Sequence, residues 1–196
     1  MSRRSIAFID HYDSFSLNLV AWLKGGAIDV DIEVIEFDRE MAINRLIDQM
    51  KPIVFSPGPK APKQALASMR ILNKSLGVVP VLGVCLGHQM LCEAWGGTIV
   101  ESKYPLHGLC REIISRDNSY EIGLPRKFKA AAYNSLEVAS ESLEESLCLA
   151  KCTQGTIQVV GKYLGSKHPA IGVQFHPESF LTDDLSAMRD MWLSHA

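Results

Sequence analysis

The feature that most constrains this sequence is a cysteine between two glycines, where a predicted strand meets a predicted helix. The segment Gly-Val-Cys-Leu-Gly-His-Gln fills residues 83–89, after an apolar run at residues 78–82 and before a run at residues 90–95 that ends in two glycines. The first run predicts a buried parallel strand and the second a glycine-ended helix. Strand, Gly-x-Cys-x-Gly and helix form the layout of a nucleophile elbow with sulfur in place of oxygen. A helix N-terminus stabilises a thiolate and can bind an oxyanion, which makes Cys85 the candidate nucleophile, with a buried structural cysteine as the alternative.

Strands and helices alternate through the first half of the chain. Strands are predicted at residues 5–10, 30–35, 53–55 and 78–82, and helices at residues 15–23, 43–50, 65–76 and 90–95, the first behind an Asp13-Ser14 start. This β-α repeat predicts a doubly wound parallel sheet. In such sheets ligands bind beyond the carboxyl ends of the strands. Residues 10–14, the proline-rich loop at residues 56–62 and Cys85 would all lie at that edge.

The second half of the sequence has the pattern of an antiparallel sheet. Short strands separated by turns, with no helix between them, are predicted at residues 98–101, 109–114, 136–139, 147–152, 156–163 and 171–175. A final helix is predicted at residues 183–194, capped by Thr182 or Asp183. No linker is evident, so we expect one domain over residues 1–196. The predicted fold class is α/β: a single-domain, open, doubly wound, mainly parallel sheet with helices on both faces and an antiparallel extension.

Composition excludes several classes of protein. Of 196 residues, 47% are hydrophobic and 21% charged, and the net charge of −2 gives no reason to expect nucleic acid or an anionic membrane as a partner. No apolar run approaches the roughly 18 residues of a membrane span. The basic start at residues 1–4 soon meets Asp10 and Asp13, unlike a signal peptide. The five cysteines contain no Cys-x-x-Cys pair, which argues against a disulfide framework and for a cytoplasmic location.

A nucleophilic cysteine needs a base, and the base needs an orienting group. His176 follows an apolar strand and precedes Pro177, which favours extended backbone at His176. Side chains two residues apart in extended backbone point the same way, so Glu178 can lie beside the imidazole. A His-x-Glu pair alone is more often a surface pair or part of a metal site. No third ligand stands at suitable spacing, so we expect no metal, and no cofactor is indicated.

Four motifs together resemble those of class I (triad) glutamine amidotransferases. They are Asp-His-Tyr-Asp-Ser-Phe at residues 10–15, Ser-Pro-Gly-Pro at residues 56–59 with Pro62, the cysteine segment at residues 83–89, and Gln-Phe-His-Pro-Glu-Ser at residues 174–179. They span most of the chain in the order that the family has. The first motif is similar to the signature of the small subunits, or component II, of anthranilate synthase and aminodeoxychorismate synthase.

The resemblance implies a flavodoxin-like fold and hydrolysis of L-glutamine. Cys85 would attack the side-chain amide, His176 would move the proton and Glu178 would orient His176. The ammonia would pass to a larger, chorismate-binding synthase subunit (component I), giving anthranilate or 4-amino-4-deoxychorismate. The resemblance also implies an oxyanion hole made by the backbone N–H groups of Gly58 and Leu86, and glutamine contacts from Gly58, Pro59, Lys60, Gln89, Ser135 and Leu136.

Five positions depart from the family pattern. Lys60 stands where a second glycine is common, Asn134 replaces a histidine, His11 replaces an asparagine, and Leu109-Cys110 follow the His107-Gly108 pair in place of a lysine and a hydroxyl residue. We expect the chemistry to survive Lys60, with altered loop mobility or glutamine affinity, although a solvated lysine at the loop edge is the simpler interpretation. We expect Asn134 to affect signalling between this chain and its partner subunit, and His11 to affect docking of that subunit. His107 is equally well explained as a turn residue or an interface residue.

Two other functions remain open at this point. One is a free-standing cysteine hydrolase of the same fold that acts on a γ-glutamyl compound. The other is a regulatory subunit that has lost glutaminase activity through Lys60 and Asn134. The complete set of Cys85, His176 and Glu178 argues against the second, because a subunit without activity needs none of the three.

Overall fold

The computed structural model describes residues 4–196, except for the side chains at positions 40, 44, 47, 118 and 120. Residues 1–3 of the basic start, to which the signal-peptide prediction applied, lie outside the described part. Within residues 4–196, nine strands form one sheet in the order β2-β1-β3-β4-β9-β8-β7-β5-β6. The strands are β1 (Arg4–Asp10), β2 (Val30–Glu36), β3 (Ile53–Phe55), β4 (Val81–Val84), β5 (Ile99–Ser115), β6 (Lys127–Val138), β7 (Cys148–Cys152), β8 (Ile157–Lys162) and β9 (Ala170–Val173).

Five α-helices in the described residues cover both faces of this sheet. They are α1 (Ser16–Lys24), α2 (Glu40–Gln49), α3 (Leu66–Ser75), α4 (Leu86–Ala94) and α5 (Ser186–His195). Helices α1 and α5 pack on one face, while α2, α3 and α4 pack on the other. None of these helices is long and apolar enough to cross a membrane.

Burial on both faces explains the near-continuous apolar strands. In β1, Ile6 and Phe8 belong to the core under α1 and α5, and Ala7 and Ile9 to the core under the other three helices. Successive side chains of a strand point to opposite faces, so a strand between two helix layers must be apolar throughout. Strands β2, β1, β3, β4 and β9 are parallel neighbours, which confirms the doubly wound sheet expected from the sequence.

The remaining strands extend the sheet in antiparallel fashion, as predicted, but with different lengths. The sequence predicts two strands at residues 98–101 and 109–114, and all of these residues except Thr98 belong to the single strand β5. Two irregularities in its pairing with β6 interrupt the alternation between them, which hides the continuity from a period-two pattern. The segment predicted at residues 136–139 is the end of β6, which begins well before Leu136, at Lys127. Short 3₁₀ turns lie in the connections between these strands, and the sequence did not indicate them.

Helices α1 and α5 begin at later residues in the structure than the sequence predicts. Helix α1 begins at Ser16, and Asp13 serves it only indirectly, by accepting a hydrogen bond of 2.8 Å from the Phe15 N–H. The prediction of a Thr182 or Asp183 cap on α5 is wrong. Helix α5 begins at Ser186, whose N–H is bound by Asp184, and both predicted caps instead bind β6.

Candidate active site

The loops after β1, β3, β4 and β9 meet at the carboxyl edge of the parallel strands, around a cavity of about 320 Å³. The position follows from the topology, because adjacent parallel strands end at the same edge. The structure brings together there most of the residues singled out from the sequence. The lining residues are Asp13, Gly58, Pro59, Lys60, Cys85, Gln89, His107, Tyr133, Asn134, Ser135, Leu136 and His176.

Cys85 lies on a sharp turn between β4 and α4. Its backbone has φ 51° and ψ −97°, a conformation that costs free energy for any residue with a side chain. Two hydrogen bonds hold it: the Cys85 N–H donates to the Val173 carbonyl at 2.8 Å, and the Cys85 carbonyl accepts from the Gln89 N–H at 3.1 Å. The N–H of Leu86 belongs to the first turn of α4 and has no partner within the helix. The strained residue is therefore the predicted nucleophile, at a helix N-terminus.

The two glycines that flank the cysteine are required by close backbone approach. A Cβ at Gly83 would lie 2.4 Å from the carbonyl oxygen of Gly87, and a Cβ at Gly87 would lie 2.4 Å from the carbonyl oxygen of Phe55. No side chain can be accommodated at either distance. The tight turn that places Cys85 at the cavity thus depends on Gly-x-Cys-x-Gly, as the elbow interpretation expects.

His176 and Glu178 form a buried pair beside the cysteine. The Nδ1 atom of His176 lies 2.6 Å from Oε1 of Glu178, and the two side chains are 2% and 0% exposed. His176 and Cys85 both line the cavity, whereas Glu178 itself does not.

The environment of His176 favours its protonated form. Burial alone lowers the pKa of His176, but hydrogen bonds and charge interactions with Cys85 and Glu178 outweigh burial and raise that pKa to about 10. The raised pKa favours the imidazolium form at neutral pH. An imidazolium beside sulfur stabilises a thiolate.

The segment that carries His176 is fastened to β6. The His176 N–H donates to the Ala131 carbonyl at 3.1 Å, and the hydroxyl of Thr182 donates to the His176 carbonyl at 2.6 Å. The same hydroxyl oxygen accepts the Ala131 N–H at 3.0 Å, and Asp183 exchanges two hydrogen bonds with the backbone of Lys129. These main-chain anchors fix the position of the imidazole.

Two aromatic rings pack against the imidazole. The Tyr133 ring centre is 4.9 Å from that of His176, and the Phe15 ring centre is 5.6 Å away, both edge to face. Tyr133 also packs against Phe15 at 4.9 Å. The rings restrict rotation of His176. The sequence did not indicate this contact.

The loop after β3 holds the first of the two predicted oxyanion residues. A Cβ at Gly58 would lie 2.9 Å from Cδ2 of Leu86, so the two predicted N–H donors belong to neighbouring residues. Lys60 is exposed, lines the cavity, and has its Nζ atom 4.4 Å from the centre of the Phe37 ring. Lys60 thus combines a partly solvated side chain with a place at the cavity wall.

A chain of amide groups links the predicted glutamine-binding residues to the nucleophile. The Gln89 amide donates to the Leu136 carbonyl at 3.0 Å and to Oε1 of Gln174 at 3.3 Å. Asn134 donates to the same Leu136 carbonyl at 2.9 Å. Gln174, fully buried, donates from Nε2 to Sγ of Cys85 at 3.6 Å.

Gln174 is the main contact that sequence reasoning missed. A signal was available, because Gln174 stands near the carboxyl end of a predicted strand, two residues before His176, and ligands bind beyond such strand ends. What the sequence did not show is that β9 pairs directly with β4, which places Gln174 next to Cys85.

Two further histidines and one further cysteine lie near the site: His107, His88 and Cys92. His107 lies within β5, at a bulge that it forms with Gly108, whose φ is 74°. The interpretation of His107 as a turn residue is therefore wrong. His107 also lines the cavity. His88 is buried, with Nε2 3.6 Å from Sγ of Cys92, and burial lowers the pKa of His88 to about 4. Cys92 is in the core, where burial raises its pKa.

The sequence profile of the family "Glutamine amidotransferase class-I" matches residues 7–194. Anthranilate synthase component 2 of Pseudomonas aeruginosa is 37% identical over 91% of this chain and 89% of its own length. The aminodeoxychorismate/anthranilate synthase component 2 of Bacillus subtilis is 33% identical over 90% of this chain and 89% of its own.

Solved structures agree on the fold. A Thermoplasma acidophilum protein described as one subunit of a GMP synthase has a TM-score of 0.78 at 20% identity, covering 100% of this chain and 94% of the other. A glutamine amidotransferase of Thermotoga maritima has a TM-score of 0.69 at 15% identity, covering 91% and 77%. With the family profile matching nearly the whole chain, and with relatives above 30% identity over most of their length, this chain belongs to the class I glutamine amidotransferases.

Proposed function

We propose that this chain hydrolyses L-glutamine through Cys85, His176 and Glu178, and supplies the ammonia to a separate, larger subunit that aminates chorismate. The product of that subunit would be anthranilate or 4-amino-4-deoxychorismate. The observation that carries the proposal is the buried His176–Glu178 pair, which meets a cysteine held at a strained strand-to-helix turn. We further propose that residues 1–196 act as one glutamine amidotransferase domain.

The first half of the reaction forms a thioester. The Cys85 thiolate attacks the carboxamide carbon of glutamine, and the amide oxygen becomes an oxyanion that accepts hydrogen bonds from the N–H groups of Gly58 and Leu86. The His176 imidazolium gives its proton to the amide nitrogen, which leaves as ammonia when the C–N bond breaks. A γ-glutamyl thioester on Cys85 remains.

The second half regenerates the enzyme. Neutral His176 takes a proton from water, and the resulting hydroxide attacks the thioester carbon. The C–S bond breaks, glutamate leaves, and the thiolate again faces an imidazolium. Glu178 keeps Nδ1 of His176 protonated throughout, which leaves Nε2 as the atom that exchanges protons.

Substrate binding is proposed for one wall of the cavity. Gln89 and the backbone at Ser135 and Leu136 would hold glutamine on one side, with Gly58, Pro59 and Lys60 on the other. The Leu136 carbonyl already accepts hydrogen bonds from two side-chain amides, which fixes its orientation. The ammonium of Lys60 at the wall favours the carboxylate of a bound amino acid.

The partner would dock at the mouth of the cavity. Phe180, two residues after Glu178, is 93% exposed, and Leu109 on β5 is 59% exposed. The Cys110 thiol donates to the Leu181 carbonyl at 3.2 Å, which places the two segments side by side. Large apolar side chains left in water beside an active site favour a protein partner there. The names of the two relatives support a synthase component as that partner.

We propose the cytoplasm as the compartment. All five cysteines, Cys85, Cys92, Cys110, Cys148 and Cys152, are free thiols. A reducing environment preserves thiols of this kind, including the one that the reaction needs.

The test is ammonia release from glutamine by the purified chain, first alone and then with chorismate and a synthase subunit that aminates it. We expect release to rise on mixing, and the synthase that responds names the product. Cys85→Ala should abolish glutamine-dependent synthesis and leave ammonia-dependent synthesis by the partner intact. Cys92→Ala, which alters a core thiol, is the matched control.

Other outcomes identify the alternatives. Fast turnover without any partner, together with failure to bind a synthase, would favour a free-standing γ-glutamyl hydrolase. No hydrolysis with either type of synthase, although Cys85 still reacts with iodoacetamide, would favour a regulatory subunit.

A further inference from the structure

His11 is a buried histidine that the proposed reaction does not use. It is 1% exposed and directly follows β1, at the edge of the sheet where the cavity opens, but it does not line the cavity. A buried imidazole needs partners for both ring nitrogens. His11 has them, one in each of two separate segments of the chain.

The first partner is Ser56, at the start of the loop that carries Gly58. The Ser56 hydroxyl accepts a hydrogen bond from the His11 N–H at 2.8 Å and lies 3.2 Å from Nδ1 of the ring. The same hydroxyl donates its proton to the Pro57 carbonyl at 2.7 Å. Its only proton is therefore committed, so Nδ1 must be the donor to Ser56.

The second partner is Ser68, in the first turn of α3. Its hydroxyl lies 3.0 Å from Nε2 of His11. With Nδ1 protonated, Nε2 accepts from Ser68, and both ring atoms are satisfied by a neutral imidazole. Burial lowers the pKa of His11 to about 4, which keeps the ring in this neutral form at neutral pH. The ring also stacks on Phe37, with centres 5.5 Å apart.

His11 also limits where Gly58 can lie. A Cβ at Gly58 would be 2.6 Å from Cβ of His11 and 2.9 Å from Leu86. The backbone of Gly58 is therefore in direct contact with both residues. His11 holds the loop from one side through Ser56 and limits it from the other through this contact.

We propose that His11 is a positioning residue, which fixes the Gly58 N–H toward the oxyanion by connecting Ser56 to Ser68. The inference rests on the proposed function, in which Gly58 donates to the oxyanion. It assigns to His11 a task inside the chain, in place of the docking role suggested by its departure from the family's asparagine. An N–H that must meet a charge appearing only in the transition state has to be held in place beforehand.

The test combines a kinetic and a structural measurement on three variants. His11→Ala removes both ring contacts. His11→Asn keeps an N–H donor at the position of Nδ1 and loses the contact with Ser68. Ser68→Ala removes the far anchor and leaves His11 in place. Ser75→Ala, at the other end of α3, is the matched control.

In the kinetic measurement, glutamine hydrolysis is followed with the synthase partner. Removal of an oxyanion donor costs about 100- to 1000-fold in kcat, so a displaced donor should cost about 10- to 100-fold. We expect this loss for His11→Ala, with the rate of Cys85 alkylation by iodoacetamide within about 2-fold, because alkylation does not require the oxyanion donor. His11→Asn should recover most of kcat, and Ser68→Ala should lie between.

In the structural measurement, hydrogen–deuterium exchange is followed in peptides covering residues 56–61. Exchange should speed up in His11→Ala and Ser68→Ala, and stay at the wild-type rate in Ser75→Ala and in peptides covering α4. Unchanged exchange in this loop, or a kcat loss matched by an equal loss of alkylation rate, would overturn the proposal. Faster exchange in a chain that never hydrolyses glutamine would leave the connection standing and refute the proposed function.

Discussion

Oε1 of Glu178 lies 2.6 Å from Nδ1 of His176, and neither side chain is more than 2% exposed. A carboxylate at this distance keeps a proton on Nδ1, which leaves Nε2 as the ring nitrogen free to exchange its proton. Because the pair is buried, water competes little with this interaction. The pair is the part of the site whose geometry bears most directly on the chemistry.

Glu178→Gln should reduce kcat for glutamine hydrolysis by about 100-fold or more. Glutamine keeps the shape but loses the charge, and its amide group can donate to Nδ1, which favours the wrong tautomer. The pKa of His176 should fall below its value of about 10, since one cause of the increase is removed. The alkaline limb of the kcat profile should therefore move to lower pH. Steady-state kinetics from mildly acidic to alkaline pH measures both effects.

The control for this variant is Glu141→Gln, an exposed carboxylate in a surface turn. It should change neither kcat nor the pH profile. A Glu178→Gln enzyme with wild-type kcat would show that the pair is structural. Circular dichroism and the thermal midpoint of the variant establish that it is folded.

Gln174→Met should slow alkylation of Cys85 by iodoacetamide at neutral pH by up to about 10-fold, since a hydrogen bond to an ionised group contributes about 1.5 kcal/mol. Methionine has a similar volume and keeps the core filled, but it cannot donate to Sγ as Nε2 of Gln174 does at 3.6 Å. Gln158→Met is the matched control, because Gln158 is equally buried on β8 and bonds Thr156 instead. An equal effect of both variants would assign the change to packing.

Much of this arrangement could be predicted from the sequence, because it depends on local rules. A glycine-flanked cysteine after an apolar run predicts an elbow, and parallel strands that alternate with helices must end at one edge. His176 and Glu178 stand only two residues apart, so their proximity could be predicted, but the predicted extended backbone is wrong: residues 177–178 form a turn, in which the Ser179 N–H donates to the His176 carbonyl at 3.3 Å. The roles assigned to these residues stay predictions until the variants are measured.

The remainder depends on which strands become neighbours, and local patterns do not contain that. The contact between Gln174 and Cys85 spans 89 positions and requires β9 beside β4. His11 meets Ser56 because β1 pairs with β3, and it meets Ser68 through the packing of α3. The length of β5 escaped prediction for a different reason, since bulges interrupt its alternation.

Stability should fall as the pH is lowered from about 6 to about 4.5, because His11 and His88 are buried in neutral form. The folded pKa of each is about 4, below the unfolded value of 6.5. Between these values the unfolded chain binds protons that the folded chain does not, so lower pH favours unfolding. Each histidine should cost about 1–2 kcal/mol over this interval.

His176 does not offset this loss. Its folded pKa is raised to about 10, so its stabilisation is fully present below 6.5 and disappears only as the pH rises toward 10. The measurement is the free energy of unfolding in urea at the two ends of the acidic interval for wild type and His11→Asn. The variant should lose about 1–2 kcal/mol less than wild type over the interval. An equal loss in both proteins would contradict the assignment to His11.

Phe180→Ser should weaken binding of the synthase partner and leave ammonia release by the isolated chain unchanged. Phe180 is 93% exposed beside the cavity, and a large aromatic anchor of this kind contributes about 2 kcal/mol or more at a protein interface, so Kd should rise about 30-fold.

Val78→Ser is the control, since Val78 is 38% exposed at the opposite edge of the sheet, just before β4. Titration calorimetry measures Kd, and partner-stimulated ammonia release provides the functional measure. Equal binding by wild type and Phe180→Ser would show that the partner does not dock at this edge. Weaker binding with the same maximal stimulation would show that Phe180 contributes to affinity and takes no part in activating Cys85.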